Sequence, residues 1–423
     1  MKCYDEYASA YDAWFMKNGN LLASEVKLIA KVLADGGDVL SIGCGSGLME
    51  SILKRDFGIV VTDGVEPSPG MAAIARKRGL NVLPAAAADF PVARQYDTVL
   101  MNGCPSYIDD LDAAFAHAAE ALKPGGRLVV ADVPKDSAYA MIYNLAALIG
   151  TWDDPLLADI RPSEPYPIEF VKSANWRTTE EKVASLKRCG FFDFAYYQTL
   201  TMHPDRSNRF VEEPSEGSDR GSYVAIIARR VPFLEQLKDG TLPRSAFDRY
   251  VFQDSLYLRR HAEALVALAG KLDRAEDKLL FENYAQAGVD AERQMLREYA
   301  NDKRMPDEGW GLETLELVRR SPAAVGVAAV YPCFRMFADA GLWLKGCVGP
   351  YAKWVAAYAG PEFAAEADRV EAVMERLARE NPELQPEMDK AVAAGIRQEL
   401  EYWKVSFPNR FRVRECGFCV FRG

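Results

Sequence analysis

Through the first 230 residues, short apolar runs alternate with amphipathic stretches; beyond them only amphipathic stretches recur. Val39 to Ile42, Ile59 to Thr62, Tyr96 to Met101 and Arg127 to Val133 read as strands, because each is a compact run rich in branched or aromatic residues. Between them, Leu21–Leu33, Gly70–Arg78 and Leu111–Leu122 carry apolar residues at helical spacing. Strands alternating with helices predict an α/β unit, a parallel sheet with helices on both faces. A late pair, Phe191–Leu200 and Gly221–Arg229, predicts an antiparallel hairpin with a polar, mobile loop at 204–220.

The pattern changes near Arg230–Pro232, which predicts two domains, 1–230 and 231–423. Beyond the boundary, apolar residues recur at three and four in 245–271, 311–346, 350–359, 363–379 and 385–405. Proline and glycine breaks separate these pieces, so the second half reads as an all-α bundle. A chain of 423 residues is long for one hydrophobic core, which also favours two domains.

Composition narrows the function classes. The formal net charge is -10 and no run of Lys or Arg stands out, so a nucleic-acid partner is not expected. The first residues, Met-Lys-Cys-Tyr-Asp-Glu-Tyr, lack the apolar core of a signal peptide, and no stretch of eighteen uncharged apolar residues predicts a membrane span. Eight scattered cysteines suit a reducing cytoplasm, and three histidines leave little room for a histidine-rich metal site, so no metal is expected.

The strongest local signal is Val39-Leu-Ser-Ile-Gly-Cys-Gly-Ser-Gly47, a strand feeding a glycine-rich turn, with Glu66 nineteen positions later. Gly43, Gly45 and Gly47 allow a tight turn and a close backbone approach to a ligand. Small molecules bind beyond the carboxyl ends of parallel strands. Glu66 is placed to accept from both ribose hydroxyls and Asp89 from an adenine amino group. NAD, FAD and S-adenosylmethionine sites all use such a turn.

Taken with Tyr-Asp-Glu-Tyr-Ala…Tyr-Asp at 4–12, Gly-Val-Glu-Pro-Ser-Pro-Gly-Met at 64–71, Ala-Ala-Asp-Phe-Pro at 87–91 and Leu-Lys-Pro-Gly-Gly-Arg-Leu at 122–128, the first half resembles a class I S-adenosylmethionine-dependent methyltransferase. The resemblance implies S-adenosyl-L-methionine as cofactor, held by Gly43, Gly45, Gly47, Glu66 and Asp89, with Tyr11 closing over its methionine end. Methyl transfer needs alignment more than side-chain chemistry. Asn102 and Tyr107, after the fourth strand, are candidate substrate contacts, though a strand-end cap and a core ring explain them equally well; Cys104 reads as a packed thiol. The segment 134–189, with Trp152, Tyr166 and Trp176, occupies the position of a substrate cover whose aromatic walls and carboxylates would suit a planar or amine substrate, and it reads equally well as a plain surface excursion.

In the second half, Asp254 and Tyr257 lie three apart and share a helix face. Cys333 follows a proline, and Glu399 lies on an apolar-striped helix. A thiol with two shielded carboxylates in one pocket is suited to addition–elimination on an electron-poor ring. The stretches Asp239-Gly-Thr-Leu-Pro243…Phe247…Tyr250…Gln253-Asp254…Tyr257-Leu258, Pro332-Cys333, Tyr351…Trp354…Tyr358 and Glu399…Tyr402-Trp403 resemble the thiaminase II, or TenA, family of the haem-oxygenase-like folds. The resemblance implies that Asp254 positions an aminopyrimidine, Tyr257 supports it, Cys333 is the nucleophile and Glu399 shuttles the proton. Where the family usually has tyrosines, this chain has Trp310 and Phe337, substrate-wall candidates that keep an aromatic ring and lose a hydroxyl.

His261, one turn after Tyr257, is placed to edge the pocket but reads more readily as a satisfied or exposed helix histidine, and it argues against a di-iron version of the fold. Cys416 and Cys419 form a CxxC pair with no second pair at zinc spacing, so tail packing is expected. The expected function is a bifunctional small-molecule enzyme: methyl transfer to a heterocyclic or amine substrate, and a cysteine-dependent aminopyrimidine-type hydrolysis or elimination. The alternative is a methyltransferase whose helical domain only binds substrate or makes a homo-oligomer; a dinucleotide oxidoreductase lacks a clear redox set.

Overall fold

The computed structural model describes residues 8–298 and 306–406, so the Cys416–Cys419 pair lies outside the described residues. The chain divides into two compact units at Arg230–Val231.

The first unit opens with α1 (Ala8–Lys17) and α2 (Gly19–Leu33) and then alternates: β1 (Val39–Ile42), α3 (Leu48–Phe57), β2 (Asp63–Val65), α4 (Pro69–Lys77), β3 (Asn81–Leu83) and β4 (Tyr96–Asn102). It continues with α5 (Leu111–Glu120), β5 (Leu122–Asp132), α6 (Ala138–Ile149), α7 (Ile168–Ser173), α8 (Thr179–Arg188), β6 (Phe191–Thr199), β7 (Ser215–Glu216) and β8 (Tyr223–Arg230). One sheet takes the order β3-β2-β1-β4-β5-β8-β6-β7. The first five of these strands are parallel, whereas β8 runs antiparallel to both β5 and β6. The order reverses between β1 and β4, so the crevice beyond their carboxyl ends is where a ligand is expected.

Apolar layers cover both faces. One is built on α2, with Leu28, Ile29 and Leu33 against Leu100 and Val129; the other is built on α5, with Phe115 against Val99 and Leu128. Two sequence expectations are corrected. The second strand is Asp63–Val65 rather than Ile59–Thr62, because β1 pairs Leu40 with Asp63 and Ile42 with Val65. The loop at 204–220 contains β7 and is tied down: Glu212 Oε2 accepts from the Thr201 amide at 2.8 Å, the Glu212 amide donates to Ser24 Oγ at 2.8 Å, and Asn208 Oδ1 accepts from the Asn20 amide at 3.0 Å.

The second unit is helical: α9 (Pro232–Asp239), α10 (Arg244–Ala269), α11 (Ala275–Glu298), α12 (Leu312–Arg320), α13 (Ala323–Leu344), α14 (Ala352–Ala356), α15 (Pro361–Glu380) and α16 (Gln385–Val405). Helices α9 and α11 add to those read from the sequence. By length and composition α13 could cross a membrane, but 72% of its apolar window is buried inside this unit, among residues such as Leu268, Phe281 and Val370. Gly395 lets α16 approach α13 closely, since a Cβ there would stand 2.6 Å from Pro332 Cγ. That approach sets Glu399, one turn along α16, opposite Cys333, the next residue on α13.

Candidate functional sites

In the first unit, a cleft of about 840 Å³, its open mouth included, lies beyond β1, β4 and β5. Its floor is the glycine turn. Gly43, Gly45 and Gly47 have φ of 68°, 55° and 72°, left-handed values that favour glycine. A Cβ on Gly43 would meet Cys104 Cβ at 2.6 Å, whereas the corresponding space at Gly45 is empty to 4 Å. The turn therefore needs its first glycine for packing and offers bare backbone to the cleft at its second. Glu66, at the end of β2, accepts from the Gly45 amide at 2.9 Å and the Ser68 amide at 2.8 Å, and so fixes the turn against the start of α4. An open backbone cradle braced by a buried carboxylate fits the cofactor that the sequence implies.

The other expected residues fall differently. Tyr11, Asn102 and Tyr107 line the cleft with Gly43 and Gly45. Asn102 Oδ1 accepts from the Tyr223 hydroxyl at 3.1 Å, so a cross-strand bond holds it. Asp89 is exposed in a turn where its Oδ1 accepts from the Ala86 amide at 3.1 Å, and neither it nor Glu66 or Gly47 belongs to the cleft lining. Cys104 is packed under the turn, and burial raises its thiol pKa well above normal. A clasp escaped the sequence reading: Arg78 donates to Asp12 Oδ2 at 2.6 Å and to the Ser46 carbonyl at 2.8 Å, tying α1 to the glycine turn.

The sequence reading also missed the polar roof. Glu25 of α2, Asp132 at the end of β5 and Tyr223 line the cleft, as do Tyr143, Tyr166 and Trp176 from the segment 134–189. Asp132 is neutralised: the Lys182 ammonium lies 3.2 Å away and the Ser106 hydroxyl donates to it at 2.6 Å.

In the second unit, the four residues expected to act together are together. The Tyr257 hydroxyl donates to Glu399 Oε1 at 2.6 Å and is in hydrogen-bond contact with the Cys333 thiol. Asp254 and Glu399 are 1% and 2% exposed, and Asp254 Oδ2 and Glu399 Oε2 have no hydrogen-bond partner among the described residues. Burial pushes Glu399 up to about 7, with the Tyr257 bond pulling the other way. Burial, then the neighbouring Glu399, raises Asp254 well above the carboxylate range. The same two causes hold Cys333 as the neutral thiol. Each unpartnered buried polar atom costs about 1–3 kcal/mol, so this buried group is left incompletely satisfied by the described residues.

Trp310 meets Tyr402, with ring centroids 5.4 Å apart, and Tyr402 lies 6.4 Å from Tyr257 in a stacked pair. Phe337 faces a smaller apolar cavity with Leu234, Trp354, Tyr358 and Trp403. His261 corrects the sequence expectation. It is 6% exposed, stacked on Tyr257 at 5.6 Å, with neither ring nitrogen partnered among the described residues. Helical spacing could not reveal this, because the burial comes from Phe334 on α13.

Residues 15–167 match the family model described as a methyltransferase domain, and residues 227–408 match that of the TENA/THI-4/PQQC family. The chain joins a methyltransferase domain to a TENA/THI-4/PQQC domain. Among similar proteins, the demethylmenaquinone methyltransferase of Tropheryma whipplei is 29% identical over 45% of this chain and 82% of its own length. The thiamine biosynthesis multifunctional protein ThiED of Corynebacterium efficiens is 33% identical over 34% of this chain but only 21% of its own. A solved SAM-dependent methyltransferase from Thermotoga maritima, described as a possible histamine N-methyltransferase, is 29% identical, covers 54% of this chain and 98% of its own, and has a TM-score of 0.46.

Proposed function

We propose that the methyltransferase domain uses S-adenosyl-L-methionine to methylate a small molecule, and that the TENA/THI-4/PQQC domain runs a Cys333-dependent hydrolysis of an aminopyrimidine. The domain match and the braced glycine turn support the first activity. When bound, that cofactor supplies an electrophilic methyl group. The chain's part is to align an acceptor beside the glycine turn, against the aromatic wall of Tyr143, Tyr166 and Trp176.

The second activity rests on one observation: a single hydroxyl, that of Tyr257, touches both the Cys333 thiol and the Glu399 carboxylate. A neutral thiol needs a base, and a carboxyl poised near 7 exchanges protons at working pH. The thiol proton passes by way of Tyr257 to Glu399 as sulfur bonds to a ring carbon. The exocyclic amine leaves with the Glu399 proton; water then adds, and the carbon–sulfur bond breaks to restore the thiol. The balance is aminomethyl plus water to hydroxymethyl plus ammonia. Asp254, whose carboxyl burial and Glu399 raise well above its ordinary value, has an unpartnered Oδ2 suited to the substrate's ring nitrogen and amino group.

The test of the second activity is ammonia release from 4-amino-5-aminomethyl-2-methylpyrimidine by the full chain. Release that disappears in Cys333→Ala supports it. Equal release by Cys333→Ala, or none by the parent with related aminopyrimidines also inert, leaves this domain a binding or assembly element.

A further inference from the structure

Among all the groups facing the first cleft, Glu25 stands apart. It is 7% exposed, it lines the cleft, and among the described residues it has neither a hydrogen-bond partner nor a counter-ion. A carboxylate that deeply placed is expected to be paired. Asp132, its acidic neighbour, already has Lys182 and Ser106 and gives Glu25 only repulsion. Burial, then Asp132, pushes the Glu25 carboxyl up to about 8.

The surroundings decide what would satisfy it. Among the described residues the cleft lining includes three acids, Glu25, Glu50 and Asp132, and no Lys, Arg or His. Glu50 Oε1 accepts from the Ser41 hydroxyl at 2.7 Å while its Oε2 has no partner among the described residues, which leaves Glu25 as the one lining acid with neither oxygen engaged there. The rest of the wall is aromatic. Tyr143 stacks on Tyr166 at 6.0 Å and tilts on Trp176 at 5.7 Å, and Trp14 meets Tyr166 edge-on at 4.8 Å. Ring faces attract cations, and a lone carboxylate completes an ammonium site. An anionic acceptor would meet three acids and, among the described lining residues, no cation.

We infer that the methyl acceptor is a small organic amine that enters as its ammonium, with Glu25 binding the nitrogen and removing its proton inside the aromatic walls. This rests on the methyltransferase reading and narrows its substrate to a class. The ammonium gives one proton to a Glu25 oxygen. The freed lone pair forms the nitrogen–carbon bond as the methyl–sulfur bond breaks, positive charge passes from sulfur to nitrogen, and Glu25 returns its proton to solvent.

Calorimetry on the full chain saturated with S-adenosylhomocysteine tests this with two matched probes, benzylamine and benzyl alcohol, for the parent and for Glu25→Gln. The expected result is at least tenfold tighter binding of benzylamine, rising between pH 7 and 8 as Glu25 ionises, and loss of both the preference and the pH dependence in Glu25→Gln. Equal binding of the two probes, absence of benzylamine binding, or a preference that survives in Glu25→Gln overturns the inference. S-adenosylhomocysteine binding is read first in both proteins. Its absence from the parent sinks the methyltransferase reading itself, whereas its presence without an amine preference sinks only the amine. Its retention by Glu25→Gln shows that the variant is folded.

Discussion

Tyr257 and Glu399, 142 positions apart in sequence, meet through a 2.6 Å hydrogen bond with the tyrosine as donor, and the same hydroxyl contacts Cys333. The bond stabilises the ionised form of Glu399 against burial, which is the larger effect and raises it to about 7. Tyr257→Phe removes that restraint. Glu399 then titrates higher still, so the acidic limb of the pH–rate profile for ammonia release moves upward, and the rate at neutral pH falls by roughly 10²–10⁴, the usual worth of a positioned proton-transfer group. A profile that keeps its acidic limb in place contradicts the assignment.

Cys333→Ala separates the two activities. Nucleophile loss lowers ammonia release by about a thousandfold or more. S-adenosylhomocysteine affinity stays within about twofold, because the described residues that line the proposed cofactor cleft belong to the first unit. Calorimetry and an ammonia assay on the same sample check both halves.

His261 makes stability depend on acid. Burial lowers its pKa from 6.5 to about 4. Between those values the unfolded chain binds a proton that the folded chain does not, so this residue's contribution falls as pH drops from 6.5 toward 4. The full loss is on the order of 3 kcal/mol. Raised carboxyls such as Glu399 act in the opposite sense, costing stability as pH rises from 4.5 to about 7. Denaturant melts of the full chain against His261→Leu isolate the histidine: the difference between the two proteins grows toward acid. A difference that is flat from pH 7 to pH 4 contradicts its neutral burial.

The glycine turn gives a paired test. Gly43→Ala combines a left-handed φ with a Cβ only 2.6 Å from Cys104, so it costs stability by about 1–3 kcal/mol. Gly45→Ala meets no neighbour within 4 Å and costs only its backbone strain, about 1 kcal/mol, but its methyl enters the cleft. Melts should rank Gly43→Ala as the less stable, while both variants lose S-adenosylhomocysteine affinity. Retained affinity in Gly45→Ala would place the ligand elsewhere.

What was legible in the sequence follows the range of the forces involved. The strand into Gly43, Gly45 and Gly47 could be read because local backbone geometry demands glycine there. Asp254 and Tyr257 could be read as one face because helical spacing sets it. The second strand was misplaced because Ile59–Thr62 has the stronger β-forming residues, whereas register with β1 selects Asp63–Val65. Glu25 and His261 were invisible as unpartnered groups. Each sits on an amphipathic helix where a polar residue ordinarily meets water, and each faces rings from distant segments: Glu25 lines its cleft together with Tyr143 and Trp176, and His261 packs on Phe334.

The most direct measurement is a calorimetric titration of S-adenosylhomocysteine into the full chain and into Glu66→Ala, which removes the acceptor of the Gly45 and Ser68 amides. The account predicts one site per chain in the parent and an affinity at least tenfold weaker in the variant. No heat from the parent, or undiminished binding by Glu66→Ala, would contradict it.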